Sequence, residues 1–208
     1  MKGKAHQYLL TAESELERVS HIARQTLGYC RDAGTPVAVD LHELIETVLA
    51  VYHSKLLASG ISVDNRFDDL QKIVVSRGEL IQVFSDIMAN AIDAMARGGA
   101  LHISTGKASG STGDGIQTII RDEGAGIDQK HLNKIYEPFF TTKGDHGTGI
   151  GLWVVKQLVE KRGGQIAITS NTDAGNRGTT VTTFLPFAIP ATIPAEEREA
   201  EVTLSLGT

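Results

Sequence analysis

Three polar residues share one face of a predicted helix and have the types needed to hold a cation. Asp86, Asn90 and Asp93 follow one another at steps of four and three residues. The amide oxygen of Asn90 suits a hard cation such as Mg²⁺, and Asp86 would place a carboxylate beside that cation and any attacking water. A polar stripe of this kind is usually only a solvated helix face, so the interpretation needs support from other motifs.

An aspartate at the end of a predicted strand is followed by two closely spaced glycines. Asp122 precedes Gly124 and Gly126. A carboxylate at a strand end can accept a hydrogen bond from an exocyclic amine such as adenine N6, and glycines let a flat ring approach the backbone. The alternative interpretation is an ordinary Asp–Gly turn.

A second glycine cluster leads directly into a predicted helix. Glycines alternate with other residues over 147–151, and the helix continues from Leu152. Backbone N–H groups at a helix N-terminus bind phosphate well. Lys143 precedes the cluster and would reach a terminal phosphate. Residues 137–148, which contain two aromatics expected to pack, are interpreted as a mobile lid.

The elements that must position these groups follow from hydrophobic periodicity and turn signals. The sequence predicts a strand at 37–39, a helix at 40–59, strands at 61–67 and 72–75, a helix at 78–97, strands at 100–105 and 116–121 joined by a Gly/Ser loop, a short helix at 128–135, a helix at 149–162, and strands at 165–169 and 179–185. Helices on one side and mostly non-alternating strands on the other indicate an α+β sandwich.

The two ends of the chain differ from its middle, residues 35–188. Apolar residues recur at helical spacing over 5–32, which predicts a helix within an N-terminal unit, 1–34. That helix either packs on the following domain or forms half of a dimerisation element. Residues 189–208 carry two prolines and an acidic cluster and are expected to form a flexible tail or linker.

The composition and net charge of the chain exclude some classes of function. The 208 residues are 41% hydrophobic and 22% charged, with a net charge of −5, which excludes a broad basic surface for nucleic acid or anionic membranes. A single cysteine, no signal-peptide core and no apolar run of roughly 20 residues predict a cytoplasmic location without membrane contact. P-loop and dinucleotide-binding motifs are absent from the sequence.

Taken together, the motifs closely resemble the ATP-binding catalytic domain of sensor histidine kinases, within the superfamily that includes DNA gyrase, MutL and the large heat-shock chaperone. The resemblance covers about residues 37–187. The family's N box falls on 82–94, its first glycine box on 122–126, its F box on 136–143, its second glycine box on 147–152 and its last on 178–179. The Phe-Thr-Thr-Lys form of the F box is similar to that of the nitrogen-regulation branch.

The resemblance implies a two-layer α/β sandwich of the Bergerat type, with three helices over a mixed sheet and ATP under a flexible lid. It also implies Mg²⁺ as a cofactor held by Asn90, recognition of adenine by Asp122, and Asp86, Asn90 and Lys143 as the catalytic residues. The residues that it implies in contact with ATP are Asn90, Asp93, Asp122, Gly124, Gly126, Ile127, Phe140, Thr141, Thr142, Lys143, Gly147, Thr148, Gly149, Ile150, Gly151, Leu152 and Thr179.

Partners follow from the same resemblance. Residues 5–32 look like the second helix of the family's dimerisation and phosphotransfer domain, which implies a homodimer and a response regulator receiver domain as partner. The family's phospho-acceptor is a His followed directly by an acidic residue, with a proline four residues beyond that. Of the seven histidines only His42 precedes an acid, and no proline follows at the matching place. We therefore expect the acceptor helix to be missing from this chain, which would make the chain a truncated form.

Three functions are open at this point. The leading one is the catalytic region of a protein-histidine kinase in a two-component phosphorelay, transferring the ATP γ-phosphate to a histidine outside this chain. A second is an ATP hydrolase or switch, because Asp86 stands where many kinases carry Asn and the hydrolysing relatives carry Glu. A third is a non-catalytic module for nucleotide sensing or dimerisation.

Overall fold

A computed structural model describes residues 35–68, 70–144, 147–173 and 175–187. The helix predicted at 5–32 and the tail predicted at 189–208 lie outside the described residues. No helix in the described part of the chain is long and apolar enough to cross a membrane.

Eleven elements follow one another along the described residues. They are β1 (Val37–Val39), α1 (Leu41–Ala58), β2 (Ile61–Phe67), β3 (Ile73–Val75), α2 (Arg77–Ala94), β4 (Gly99–Gly110), β5 (Gly113–Asp122), α3 (Gln129–Leu132), α4 (Gly151–Glu160), β6 (Gln165–Asn171) and β7 (Gly178–Pro186). The Asp40 side chain accepts hydrogen bonds from the N–H groups of His42 and Glu43, which confirms the predicted start of α1.

Five strands form one mixed sheet in the order β2-β4-β5-β7-β6. β2 and β4 run parallel, and the other neighbours are antiparallel. β1 and β3 form a separate two-stranded antiparallel ribbon. The register places Asp122, at the end of the central strand β5, between Leu101 of β4 and Thr179 of β7. The sheet therefore holds the backbone of Asp122 from both sides.

The core lies between the sheet and the three longer helices, which confirms the two-layer α/β sandwich. Buried and more exposed residues alternate along β4, β5 and β7, so the expectation of mostly non-alternating strands is wrong. The reason is that the helices cover one face of the sheet, so each of these strands turns one side to the core and the other toward solvent. The largest fully buried side chains include Leu44, Ile45, Phe84, Ile87, Met88, Leu101, Ile103 and Ile116.

The Gly/Ser segment at 106–115 is a long hairpin instead of the predicted loop. β4 continues to Gly110 and β5 begins at Gly113. The aromatic ring of Phe184 on β7 lies beside Gly110, where an added Cβ would come within 2.6 Å of the ring. Glycine serves packing at this position, because only a residue without a side chain leaves room for that ring.

Three helices are shorter than predicted. α2 ends at Ala94 and not at 97, because Met95 departs from helical angles and Gly98 takes a φ of 78° in the following turn. α3 and α4 each lose residues at both ends relative to 128–135 and 149–162. These differences place Gly149 and Ile150 before α4, whereas Asp86, Asn90 and Asp93 stay within α2.

A cluster of charges, buried except for Lys161, joins the start of α2 to the two residues that follow α4. The Glu79 side chain is 8% exposed. It accepts hydrogen bonds from Arg162 Nε at 3.1 Å, Arg162 Nη2 at 2.9 Å and Lys161 Nζ at 2.8 Å. Burial raises the pKa of Glu79, but the bonds and charges of Lys161 and Arg162 outweigh it and leave that pKa below its ordinary value. The cluster holds the two helices in a fixed relation.

Candidate functional site

The polar face of α2 carries the predicted base and cation ligand. Asp86 is buried, with 4% of its surface exposed, and its Oδ2 accepts a hydrogen bond from Gln82 Nε2 at 2.7 Å. Asn90 lies one helical turn further on and is half-buried. Gln82 thereby fixes the orientation of the Asp86 carboxylate.

Lys143 contacts this face of α2 from the segment that precedes α4. Its Nζ donates to Asn90 Oδ1 at 3.0 Å and to Asp93 Oδ2 at 2.8 Å. Lys55, on α1, donates to Asp93 Oδ1 at 2.7 Å. The structure thus brings together three predicted site residues, Asn90, Asp93 and Lys143, and adds a fourth, Lys55, that no motif indicated.

The three charged side chains of this group do not balance, because the single carboxylate of Asp93 binds the ammonium groups of both Lys55 and Lys143. Burial raises the pKa of Asp93, but hydrogen bonds and charges from Lys143 and Lys55 outweigh it and place the pKa below its ordinary value. Asp93 is therefore ionised at neutral pH, and the three side chains together carry a positive charge. All three are partly exposed, so water and salt screen their ion pairs.

Asp122 lies in a different environment, at the buried end of β5. Its surface is 4% exposed, and its Oδ1 accepts hydrogen bonds from the N–H of Gly124 at 2.8 Å and of Thr179 at 3.3 Å. Burial raises the pKa of Asp122 above its ordinary value despite these two bonds. Neither bond uses Oδ2, so the second oxygen is left to accept from another donor.

Ser170 on β6 joins the first glycine turn to the last one. Its Oγ accepts from the Ile127 N–H at 2.7 Å, lies 2.9 Å from Thr179 Oγ1 and donates to the Gly178 carbonyl at 2.9 Å. Sequence reasoning did not identify Ser170, because one serine in a strand carries no motif. What identifies Ser170 as part of the site is its position opposite Thr179, and this position is known only once β6 is paired with β7.

The glycine turn after Asp122 is shaped by the protein's own packing. Gly126 has a φ of 75°, and an added Cβ would lie 2.1 Å from the Asn171 carbonyl oxygen. The N–H of the preceding residue, Ala125, donates to the Ala94 carbonyl at 3.0 Å, which connects the turn to the end of α2. The glycine at 126 is thus required by the contact with β6, and not only by a flat ring as the sequence argument supposed.

The second glycine cluster packs on the F box segment. The Phe139 N–H donates to the Gly149 carbonyl at 2.9 Å, and an added Cβ on Gly149 would lie 2.3 Å from the Phe139 carbonyl carbon. α4 begins directly afterwards at Gly151, and its cap residue Ile150 makes no side-chain cap hydrogen bond. The first N–H groups of α4 are therefore oriented for an acceptor supplied from elsewhere.

The two aromatics of the F box differ in environment. Phe140 is half-buried, with its ring 5.7 Å from that of His131 and tilted by 57°. Phe139 is 74% exposed and has a φ of 69°, so the expectation that both rings pack is wrong for Phe139. Its backbone is left-handed and bonded to the Gly149 carbonyl, and its ring lies in solvent.

The remaining predicted residues belong to the F box segment, the second glycine cluster and the start of α4. Thr141 Oγ1 accepts from the Lys143 N–H at 3.1 Å, and Thr148 Oγ1 accepts from the Ile150 N–H at 3.4 Å. Thr142 is exposed, whereas Gly147 and Leu152 are half-buried. No group of three or more His, Cys, Asp or Glu residues suited to a metal ion occurs in the described part of the chain.

Comparison with known proteins shows which family the chain belongs to. Residues 76–189 match the model of the family described as histidine kinase-, DNA gyrase B-, and HSP90-like ATPase. The chain is 31% identical over 191 residues to sensor histidine kinase ZraS of Escherichia coli, an alignment that covers 90% of this chain and 39% of that kinase. The chain thus spans about two fifths of the length of this curated relative.

Solved structures share the fold. Full-length ShkA, whose crystal structure contains AMPPNP, aligns with a TM-score of 0.71 at 20% identity, over 90% of this chain and 40% of that one. Histidine kinase ThkA in complex with response regulator protein TrrA aligns with a TM-score of 0.68 at 22% identity, over 88% of this chain and 51% of that one. At these identities the alignments show the fold alone. The family match over residues 76–189, which covers more than half of the chain, shows that the chain belongs to the histidine kinase-, DNA gyrase B-, and HSP90-like ATPases.

Proposed function

We propose that this chain is the ATP-binding catalytic region of a two-component sensor histidine kinase, which transfers the γ-phosphate of ATP to a histidine. The observation that carries the proposal is the contact of Lys143 with Asn90, because it joins the F box to the N box helix in a chain of this ATPase family. The similarity to ZraS favours a sensor kinase over the other branches of the family.

Adenine recognition is assigned to Asp122. Its Oδ2 would accept a hydrogen bond from the exocyclic amine of adenine, while Oδ1 stays bonded to the Gly124 and Thr179 amides. Those two bonds hold the carboxylate in one orientation before the ligand arrives, which lowers the cost of ordering it. The other residues proposed around the base and ribose are Gly126, Ile127 and Phe140.

The phosphates are assigned to Lys143 and to the start of α4. The first turn of α4, which has no side-chain cap from Ile150, offers N–H groups at the positive end of a helix dipole, and Lys143 adds an ammonium. Phosphoryl transfer depends mainly on position and on neutralising charge, and these groups supply both. The residues proposed to contact the phosphates are Asn90, Thr141, Thr142, Lys143, Gly147, Thr148, Gly149, Ile150, Gly151 and Leu152. Asp93 is proposed to take part through its ion pair with Lys143, and Thr179 is proposed to lie near the adenine.

Mg²⁺ is proposed as the second cofactor, with Asn90 as its protein ligand. Asn90 Oδ1 already accepts from a cationic ammonium, so the oxygen lies where a positive group can reach it. An amide oxygen is a suitable donor for Mg²⁺, which usually keeps several waters and is completed by phosphate oxygens. When bound, the ion would neutralise charge on the phosphates.

Asp86 is proposed as the base that polarises the attacking imidazole. It is buried on the same face of α2 as Asn90, and the amide of Gln82 orients one of its oxygens. A carboxylate held in this way can accept a proton from a nucleophile only if the nucleophile comes within hydrogen-bond reach. The acceptor histidine is proposed not to be one of the seven histidines of this chain.

Partners and location are proposed on the same basis. ThkA, which shares the fold, is seen in complex with a response regulator, and we propose a response regulator receiver domain as the partner of this chain. We also propose a homodimer through residues 5–32 and a cytoplasmic location. Residues 1–34 would form the second helix of the dimerisation domain, 35–188 the catalytic domain and 189–208 a tail.

The test is to incubate the chain with MgATP labelled in the γ-phosphate and to follow protein label and free phosphate together. The proposal predicts bound ATP with little free phosphate and no label on this chain. Asn90→Ala should remove the binding, whereas Asn65→Ala, at an exposed position of β2, should not. Acid-labile label on this chain would place the acceptor among its own histidines. Sustained phosphate release that disappears in Asp86→Asn would indicate an ATP hydrolase instead.

A further inference from the structure

Two lysines from different elements bind opposite oxygens of one carboxylate. Lys55 Nζ lies 2.7 Å from Asp93 Oδ1, and Lys143 Nζ lies 2.8 Å from Asp93 Oδ2. Lys55 comes from α1, whereas Lys143 comes from the segment before α4. Asp93 thus links both segments to α2, and its two ion pairs share one negative charge.

The ion pair with Asp93 opposes the binding of phosphate by Lys143. A phosphate that approaches Lys143 also approaches the Asp93 carboxylate, because the two side chains are in direct contact. Like charges at so short a separation repel each other. Lys143 will therefore bind a phosphate most strongly once Asp93 has another counter-ion.

Lys55 is that counter-ion. It already donates to Asp93, so this carboxylate keeps one ammonium partner when Lys143 leaves. With Lys55 removed, Asp93 would depend on Lys143 alone, and the charge of the three side chains would fall from plus one to zero. Loss of Lys55 should accordingly hold Lys143 more firmly on α2.

We propose that Asp93 and Lys55 are positioning residues for Lys143. Asp93 holds the Lys143 ammonium against Asn90 when no phosphate is present, and Lys55 neutralises Asp93 when Lys143 turns to the terminal phosphate of a nucleotide. This inference rests on the proposed function and deepens it. Asp93 then acts on the nucleotide through Lys143 and not by direct contact.

The test compares equilibrium affinities for AMPPNP and ADP, measured by calorimetry with Mg²⁺ present. The ratio of the two affinities reports on the terminal phosphate. Lys55→Gln should lower the AMPPNP preference roughly two- to fivefold, the size expected of a partly exposed ion pair, and Asp93→Asn should raise it by a similar factor. Both changes should vanish in a Lys143→Gln background, where no ammonium remains to be positioned.

A matched control removes a positive charge from an exposed ion pair elsewhere. Arg66→Gln, which breaks the pair with Asp64 on β2, should leave the ratio unchanged. A fall in the ratio for both Asp93→Asn and Lys55→Gln, or changes that persist without Lys143, would overturn the positioning role. Unchanged ratios in a wild type that binds both nucleotides would overturn this inference alone. A wild type that binds neither would overturn the proposed function as well.

Discussion

At the scale of single residues, the proposed site uses two carboxylates in opposite electrostatic settings. Asp122 is buried with backbone N–H donors and has a raised pKa, whereas Asp93 is bound to two ammonium groups and has a lowered one. A buried carboxylate that is bonded to backbone N–H groups is suited to a neutral donor such as an adenine amine. A carboxylate between two lysines is suited to holding a charge in place. The same residue type therefore serves two roles, and its surroundings decide which.

Replacing Asp122 by Asn tests the adenine contact. The asparagine oxygen can still accept from the Gly124 and Thr179 amides, but its NH₂ group would face the adenine amine, so donor meets donor. We expect ATP affinity to fall at least about 100-fold, since the substitution leaves buried donors unpaired in the complex. Calorimetric titration with MgAMPPNP measures this change.

A control for this substitution lies at the other end of the same strand. Asp114 is exposed at the start of β5 and accepts from Ser109 Oγ at 2.7 Å. Asp114→Asn should leave ATP affinity unchanged. Equal affinity in the wild type and in Asp122→Asn would remove Asp122 from the adenine contact.

The raised pKa of Asp122 also predicts a pH dependence. Because the folded pKa lies above the unfolded value, the nucleotide-free protein loses stability as the pH rises from the unfolded pKa through the folded pKa of Asp122. An adenine amine binds the ionised form, so ATP affinity should decrease as the pH falls through the folded pKa, and binding near that pH should release a proton. Calorimetry in buffers of different ionisation enthalpy measures the release, and a pH-independent affinity would contradict the assignment.

At the scale of elements, α2 is held at both ends by different means. Glu79 fixes its start to the end of α4, whereas Ala94 at its end accepts from the Ala125 N–H of the first glycine turn. Since α4 begins at the second glycine cluster, the ion pairs of Glu79 also set how the turn proposed to bind phosphate lies against α2. Both glycine motifs are thereby fixed to the helix that carries Asn90.

Glu79→Gln should destabilise the domain, because it leaves the buried Arg162 without a carboxylate. We expect a loss of about 2–4 kcal/mol in the free energy of unfolding, measured with urea. The lowered pKa of Glu79 means that its contribution is present above the ordinary Glu pKa and disappears as the pH falls through the folded value. In the acidic range, the free energy of unfolding of the variant should therefore depend less on pH than that of the wild type.

Glu160→Gln is the matched control on α4. Its partner Lys156 is 3.8 Å away, and the pair is partly exposed, so the substitution should change stability by less than about 1 kcal/mol. A Glu79 variant as stable as the Glu160 variant would show that the buried cluster does not hold α2 to α4.

At the scale of the whole molecule, the sequence predicted the layers and the sheet but not every contact that joins them. The mixed sheet under three helices is confirmed, because long periodic helices and a fixed order of motifs leave few arrangements. The loop predicted at 106–115 is a hairpin because two of its glycines, Gly110 and Gly115, pack against the ring of Phe184, which lies on a distant strand. Local turn signals cannot carry that information.

The residues of the candidate site likewise fall into those that the sequence predicts and those that only tertiary packing brings to the site. Asp122, Asn90 and Lys143 were predicted from residue type and spacing, since their chemistry is specific to those types. Lys55 and Ser170 were missed, because a lysine on α1 and a serine on β6 gain their place only through tertiary packing. Positions that support a motif from another element are thus the part that pattern alone does not reveal.

The most direct test of the account is a comparison of ATP with GTP on the wild-type chain. Guanine carries a carbonyl where adenine carries its amine, so the Asp122 carboxylate would face an acceptor and the complex would lose the hydrogen bond. We expect calorimetry with MgAMPPNP and MgGMPPNP to show a preference for the adenine nucleotide of at least about 100-fold. Equal affinities, or binding of neither nucleotide, would contradict the central claim that this fold holds an adenine nucleotide at Asp122.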